Sequence, residues 1–371
     1  MLSEKSALKK FDISVFLHFV GREMYSVFVP IIMLKNGYSL NLVFSYILLS
    51  SIVTIICSYI AQKTFHHHRV IFFNYLAIIA EIILLLLLNY SKITGAVFAG
   101  ILIFEGAYYG FYYISYFSII NHYSKKKHTG KNVANAANAL NLAGIIPPLI
   151  GAFVLGYSTV FLIAISIFFL SISIIPLLKI NKDDINGFNL PKIKFKEIKR
   201  ELFNYSILSA LEVIIFTFWA IYAYESGWPL IDIGLIAVAS SFANVIITEK
   251  IKNRLMEKDL RQKIKYISAI LIVVLSIYRF CLPGHIIITN FLFGIVYLLF
   301  YLNIETELFI KLENKQTYSS SYLTLVSCFI SRFFMVAILF FIGLKYVILL
   351  PIPLMLIYFF SIKRETKKIP A

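Results

Sequence analysis

KINKDDINGFNLPKIKFKEIKRE, residues 179–201, is the longest polar stretch in the chain and falls at its midpoint. Working outward from it, apolar runs separated by short polar loops extend to both termini. Six runs precede it and six follow. Each is long enough, at about 1.5 Å per residue, to cross the roughly 30 Å hydrocarbon core of a bilayer. The expected helices are 13–34, 40–61, 70–89, 95–120, 132–156, 158–178, 202–224, 230–249, 264–282, 285–307, 319–342 and 345–362. Residues 1–178 and 202–371 then form two six-helix bundles, and 179–201 is the linker between them, with a short surface helix near Phe195.

Composition supports this all-α, polytopic reading. Hydrophobic residues make up 60% of the 371 and charged residues 15%. A soluble domain has too few polar groups at that ratio to cover its apolar surface. The net charge of +16 would suggest nucleic acid in a soluble protein. Here the basic residues collect in alternate segments: Lys5 to Lys10, Lys63 and Arg69, Lys125 to Lys131, the central linker, Lys250 to Lys265, Lys311 and Lys315, and Lys363 to Lys368. The opposite side holds only Lys35, Lys92, Arg279 and Lys345. An extra or missing helix would invert this alternation, so the positive-inside rule supports an even count and both termini in the cytoplasm, and the cell membrane is the expected location. No nucleic-acid partner is expected. Cys57, Cys281 and Cys328 are scattered in apolar runs and suggest neither disulfides nor a metal site. The first apolar run lacks a cleavage signature and is expected to be retained as a helix.

Within the twelve runs a rhythm of three is visible. The first, fourth, seventh and tenth carry polar and aromatic residues at mid-depth. The second, fifth, eighth and eleventh are rich in small residues, as in ANAANAL (134–140) and AVASSFAN (237–244), which allow close helix approach. The sixth, ninth and twelfth are nearly featureless and expected to face lipid. The third belongs with these but carries Asn74 and Glu81, for which the sequence suggests no partner. Internal repeats around a midplane site are the usual build of secondary transporters.

The chain resembles the major facilitator superfamily over its whole length. Residues 105–156, EGAYYGFYYISYFSIINHYSKKKHTGKNVANAANALNLAGIIPPLIGAFVLG, are similar to that family's fourth helix, basic loop and fifth helix. Gly144 to Gly151, GIIPPLIG, is similar to a Gly/Pro motif in the fifth helix of many exporters, with Pro147 and Pro148 at its centre. The resemblance makes Gly144, Pro147, Pro148 and Gly151 hinge and packing positions. It implies alternating access to a central site, with the first helix beside it, and a lean toward export. The loop YIAQKTFHHHRV (59–70) departs from the family's pattern: Gln62 stands where an acid is usual, while Lys63 and Arg69 match basic positions. TEKIKNRLMEKDLRQK (248–263) is equally loose.

Ionisable groups at mid-membrane are functional candidates by default. In VFLHFVGREMYSVFVPIIML (15–34), His18, Arg22 and Ser26 share one helical face and Glu23 lies about 100° round. One reading has Arg22 holding an anionic or polar solute while Glu23 carries a proton. The other has Arg22 in an internal ion pair with Glu212 or Glu105. Glu105, Tyr109, Tyr112 and Tyr116 form one stripe, widened by Tyr108 and Tyr113, which suits either cavity lining or aromatic packing. Gly106 and Gly110 mark a close helix contact. Glu212 is the second-half counterpart of the first-helix charges, Asn290 is a polar candidate in the tenth helix, and Arg332 needs an acid. Glu305 and Glu307 are expected at an exposed rim. His66, His67 and His68 read as a solvated loop, and Asn89-Tyr90-Ser91 as a sequon too close to the membrane to be occupied.

The expectation is therefore a proton-coupled secondary transporter, monomeric, with a small-molecule substrate, the bilayer and protons as partners. No cofactor, metal or enzymatic activity is expected, since no nucleotide or paired-acid motif is found; Asp183-Asp184 lack the needed spacing. A lipid-linked oligosaccharide flippase and a transporter-like sensor are the alternatives.

Overall fold

The computed structural model describes residues 2–64, 70–90, 94–123, 129–180, 195–312 and 318–366. Among these, twelve helices are long and apolar enough to cross a membrane: α1 (Lys9–Lys35), α2 (Leu40–Thr64), α3 (Ile71–Leu88), α4 (Gly95–Ile119), α5 (Val133–Tyr157), α6 (Thr159–Leu178), α7 (Ile198–Glu225), α8 (Leu230–Ile251), α9 (Lys258–Cys281), α10 (Ile287–Lys311), α11 (Tyr322–Ile342) and α12 (Leu344–Ser361). The largest differences from the sequence expectation are at helix starts. Phe195 opens no separate surface helix; it begins the helix that continues into α7 as far as Glu212. Likewise α9 begins at Lys258. Long basic side chains can carry their charge out of the membrane from a helical turn, so polar composition there does not end the helix. Residues 181–194 of the linker, with Asp183 and Asp184, and His66 to Arg69, Ser91 and Lys125 to Lys127 lie outside the described residues.

The helices form two six-helix bundles joined face to face. Helix α2 packs on α11 and α5 on α8 across the junction. The rhythm of three has a direct structural basis. Exposed apolar side chains cover the outer faces of α6, α9 and α12, for example Phe168, Val274 and Phe360. In α3, Phe72, Ile79 and Leu86 repeat every seven residues on the outer face. Asn74 and Glu81, also seven apart, lie on the buried one. Helix α3 is therefore lipid-facing on one side only. The glycines of α4 do mark a close contact: a Cβ on Gly106 would stand 2.8 Å from the Ser50 carbonyl, and one on Gly110 2.9 Å from that of Thr54, both in α2.

Three of the helices near the junction are irregular. Helix α1 leaves α-geometry just after Glu23 and passes through a 3-10 turn at Ser26–Phe28 before Pro30 restarts it. Helix α7 widens to a π turn at Val213–Phe218, just after Glu212. Helix α5 breaks at Gly144 to Ile146 and restarts on Pro147, a position where proline's missing N–H costs nothing.

Candidate functional site

Between the bundles lies a cavity of about 360 Å³. Its walls come from α1, α4, α7 and α10, with α5, α8 and α11 filling between them; no lining residue belongs to α3, α6, α9 or α12. That volume is in the range of a small-solute site. Contacts between the bundles occur at both of its ends. Away from the N-terminus, the Phe44 ring meets those of Phe218 and Phe340. At the other end Phe117 meets Tyr205 and Phe309, and Asn138 donates to Glu249 at 2.8 Å.

The charges sort into an inner cluster and a cavity set. Arg22 is buried in the first bundle, where Nη1 donates to Glu81 at 2.8 Å and Nη2 to Glu105 at 3.4 Å. The Tyr25 hydroxyl also donates to Glu81. His18 Nε2 stands 3.3 Å from the second Glu81 oxygen and 3.1 Å from the Tyr108 hydroxyl. The guanidinium lies over the Tyr108 ring, 3.9 Å from its centroid, and faces Tyr109 at 4.8 Å. Desolvation of two or more charges is tolerable only with such dense pairing. Of the two anticipated partners, Glu105 pairs with Arg22 and Glu212 does not.

Glu81 is the residue that sequence reasoning left without a place. Its seven-residue spacing from Asn74, opposite the apolar Phe72, Ile79 and Leu86 face, is the signal that could have turned it inward. Asn74 itself donates to Ser115 of α4 at 2.6 Å.

The break in α1 divides the expected His18–Arg22–Ser26 face. His18 points into the bundle, while Glu23 and Ser26 line the cavity and Arg22 borders both. Arg22 acts on the Glu23 carboxylate electrostatically, Ser26 bonds it, and Glu212 is near enough to repel it. No cation among the described residues lies within ion-pairing distance of Glu23.

Across the cavity, Arg332 of α11 donates to Glu212 at 2.7 Å and to Ser209 at 3.0 Å. The Glu212 side chain remains 46% exposed, so this pair faces open space. The tyrosine stripe divides in the same way. Tyr109, Tyr113 and Tyr116 line the cavity. Tyr112 is buried against the His18 ring, 4.5 Å between centroids, and Glu105 turns toward Arg22.

Asn290 lines the cavity and accepts from Arg279 of α9, a residue read from sequence only as one of the four basic residues on the outer side. Arg279 is 3% exposed. It continues the buried stripe Ser268, Ile272, Ser276, which is the signal that would have placed it. Glu305 is likewise buried rather than at a rim, bonded to Tyr301, because α10 continues past it to Lys311. Glu307 pairs with Lys265 at 2.6 Å. Gly144 lines the cavity against Ser241, whereas Pro147, Pro148 and Gly151 are buried in α5.

A family model, that of the Major Facilitator Superfamily, matches residues 11–308. No curated protein sequence matches significantly. Among solved structures, the human organic anion transporter MFSD10 (TETRAN) is similar with a TM-score of 0.71 at 10% identity, over 96% of this chain and 99% of that one. A bacterial homologue of the iron transporter ferroportin, outward-facing, gives 0.68 at 13% identity, over 98% and 100%. Its iron-soaked form gives 0.64 at 15%, over 95% and 98%. At these identities the likeness concerns the fold.

Proposed function

We propose that this chain, which belongs to the major facilitator superfamily, exports a small organic solute through the central cavity by alternating access, coupled to protons. Membership of a transporter family supports movement of a solute across the membrane; the solute, the coupling and the direction are the proposal. The observation that carries it is Glu23, a carboxylate in the cavity wall that makes no ion pair among the described residues and feels the opposing charges of Arg22 and Glu212.

The mechanism follows from charge. Ionised Glu23 and Glu212 repel each other across the two bundles, while Arg22 attracts Glu23 and Arg332 holds Glu212. Protonation of Glu23 removes that repulsion and leaves the Arg332–Glu212 pair intact. The halves then approach at that depth without the like-charge penalty. Each protonation state thus favours a different arrangement of the halves, which is the requirement for coupling. Export as the direction is supported by the likeness of Gly144–Gly151 to the exporters' motif.

The test uses protein reconstituted in liposomes with an imposed pH gradient, after a thermal-stability screen of solutes identifies a ligand. Gradient-driven accumulation is expected for the unmodified protein. Glu23→Gln should retain solute exchange at equilibrium and lose accumulation. Accumulation that survives in Glu23→Gln removes Glu23 as the proton carrier.

A further inference from the structure

Arg279 is a buried guanidinium with no carboxylate partner among the described residues. Its Nη2 donates to the neutral Asn290 Oδ1. Its Cζ lies 4.4 Å from the ring centroids of both Trp219 and Phe293, so the group rests against two aromatic faces. Among the described residues its Nε has no acceptor, and neither has Trp219 Nε1. The two arginines at mid-membrane, Arg22 and Arg332, each have a carboxylate within hydrogen-bond distance. None of the described acids does this for Arg279. Aromatic faces and one amide oxygen offset only part of the cost of burying a full charge.

The position of this charge gives it a use. Trp219 and Asn290 touch the guanidinium on one side and line the cavity on the other. A single layer of side chains therefore separates an uncompensated cation from the solute space. Trp219 is seven residues beyond Glu212 on α7, or about 10 Å along the helix axis. The cavity thus has balanced charges at mid-depth and a cation behind its wall toward the end away from the N-terminus.

We propose that Arg279, with Trp219 and Asn290, forms a subsite for the anionic group of an organic acid. The incoming carboxylate takes the place of the Asn290 carbonyl as acceptor for the guanidinium fork, a planar bidentate geometry that carboxylates match. The tyrosines of α4 and α10 then take the apolar body of the solute. This deepens the transporter reading and rests on it: an organic anion carried with a proton on Glu23 adds no net charge to the cavity.

The chain has two tryptophans, so Trp228→Phe leaves Trp219 as the reporter beside the subsite. The purified full-length protein is titrated with benzoate and 3-phenylpropionate, and in parallel with benzylamine and 3-phenylpropylamine, following Trp219 emission. Saturable changes with the acids and none with the amines are expected. Arg279→Gln should weaken acid binding by about tenfold or more, the loss of a charge-assisted pair. Amines that bind as well as acids overturn the proposal. So does silence toward both acids, or unchanged acid affinity in a folded Arg279→Gln. Should that variant not fold, the acid-against-amine comparison in the Trp228→Phe protein decides alone. Transport in liposomes is scored separately. An amine carried without acid binding removes the anion subsite and leaves the transporter; acid binding at Trp219 with no solute carried does the reverse.

Discussion

The Arg22 cluster allows its partners to be ranked. The Glu81 contact is shorter than the Glu105 contact, and Glu81 also accepts from Tyr25. Glu81→Gln should therefore lower stability by about 2 kcal/mol, more than Glu105→Gln, because each removes a charge facing a buried arginine that keeps one remaining carboxylate. Thermal unfolding of the two variants in one detergent gives the order; equal or reversed losses would show that the distances do not govern the pairing. Gly151 provides a second case. The unwound turn of α1 presents the Met24 carbonyl directly to α5, and a Cβ on Gly151 would overlap it. Gly151→Ala should cost about 1–3 kcal/mol as the helices are forced apart. Gly156→Ala in the same helix meets no atom within 4 Å and should leave the melting temperature unchanged. The sequence made Gly151 visible as part of a motif but not its partner, since nothing in VGREMYSVF announces that the helix opens there. Glu81 was visible as a misfit among leucines and isoleucines, and its role depended on which face of α3 met α1.

At the scale of elements, the discontinuities carry the site. Glu23 and Glu212 stand at the same depth from the starts of α1 and α7, and each immediately precedes an irregular turn. A π turn inserts one residue into an α-helix without changing the direction of the flanking segments. Deleting Phe216 should restore continuous α-helix, keep the Trp219 to Glu225 segment packed, and change the angle at which Glu212 meets the cavity. We expect a melting temperature near that of the parent and loss of solute transport. Retained transport would make the π turn a packing feature without functional weight. This element was not legible beforehand. Hydropathy reports which stretches are buried in lipid or protein, and helical spacing reports which face is polar, but one extra residue in VIIFTF leaves both signals intact. The break in α5 was legible because proline and glycine act locally on the backbone, whatever the tertiary packing.

For the whole molecule, twelve spans were legible because the bilayer imposes one length and one polarity on every crossing. The way two bundles enclose a cavity was not readable from spans alone; it entered through the rhythm of polar, small and featureless helices, and the cavity walls follow that rhythm. Orientation in the membrane depends on a different signal, the distribution of basic residues, and leads to the last prediction. Ser226 follows α7 and Asn253 follows α8, so they lie at opposite ends of the bundle, and both are exposed. Cys281 is the exposed native thiol among the described residues, so Cys281→Ser provides the background. In intact cells a membrane-impermeant maleimide should label Ser226→Cys and should reach Asn253→Cys only after permeabilisation. That outcome places the basic loops and both termini in the cytoplasm and the Arg279 end of the cavity outside. The opposite pattern would turn the molecule over and put the uncompensated arginine at the cytoplasmic end. An anion subsite there would meet cytoplasmic solutes first, whereas at the outer end it is the last contact an exported acid leaves.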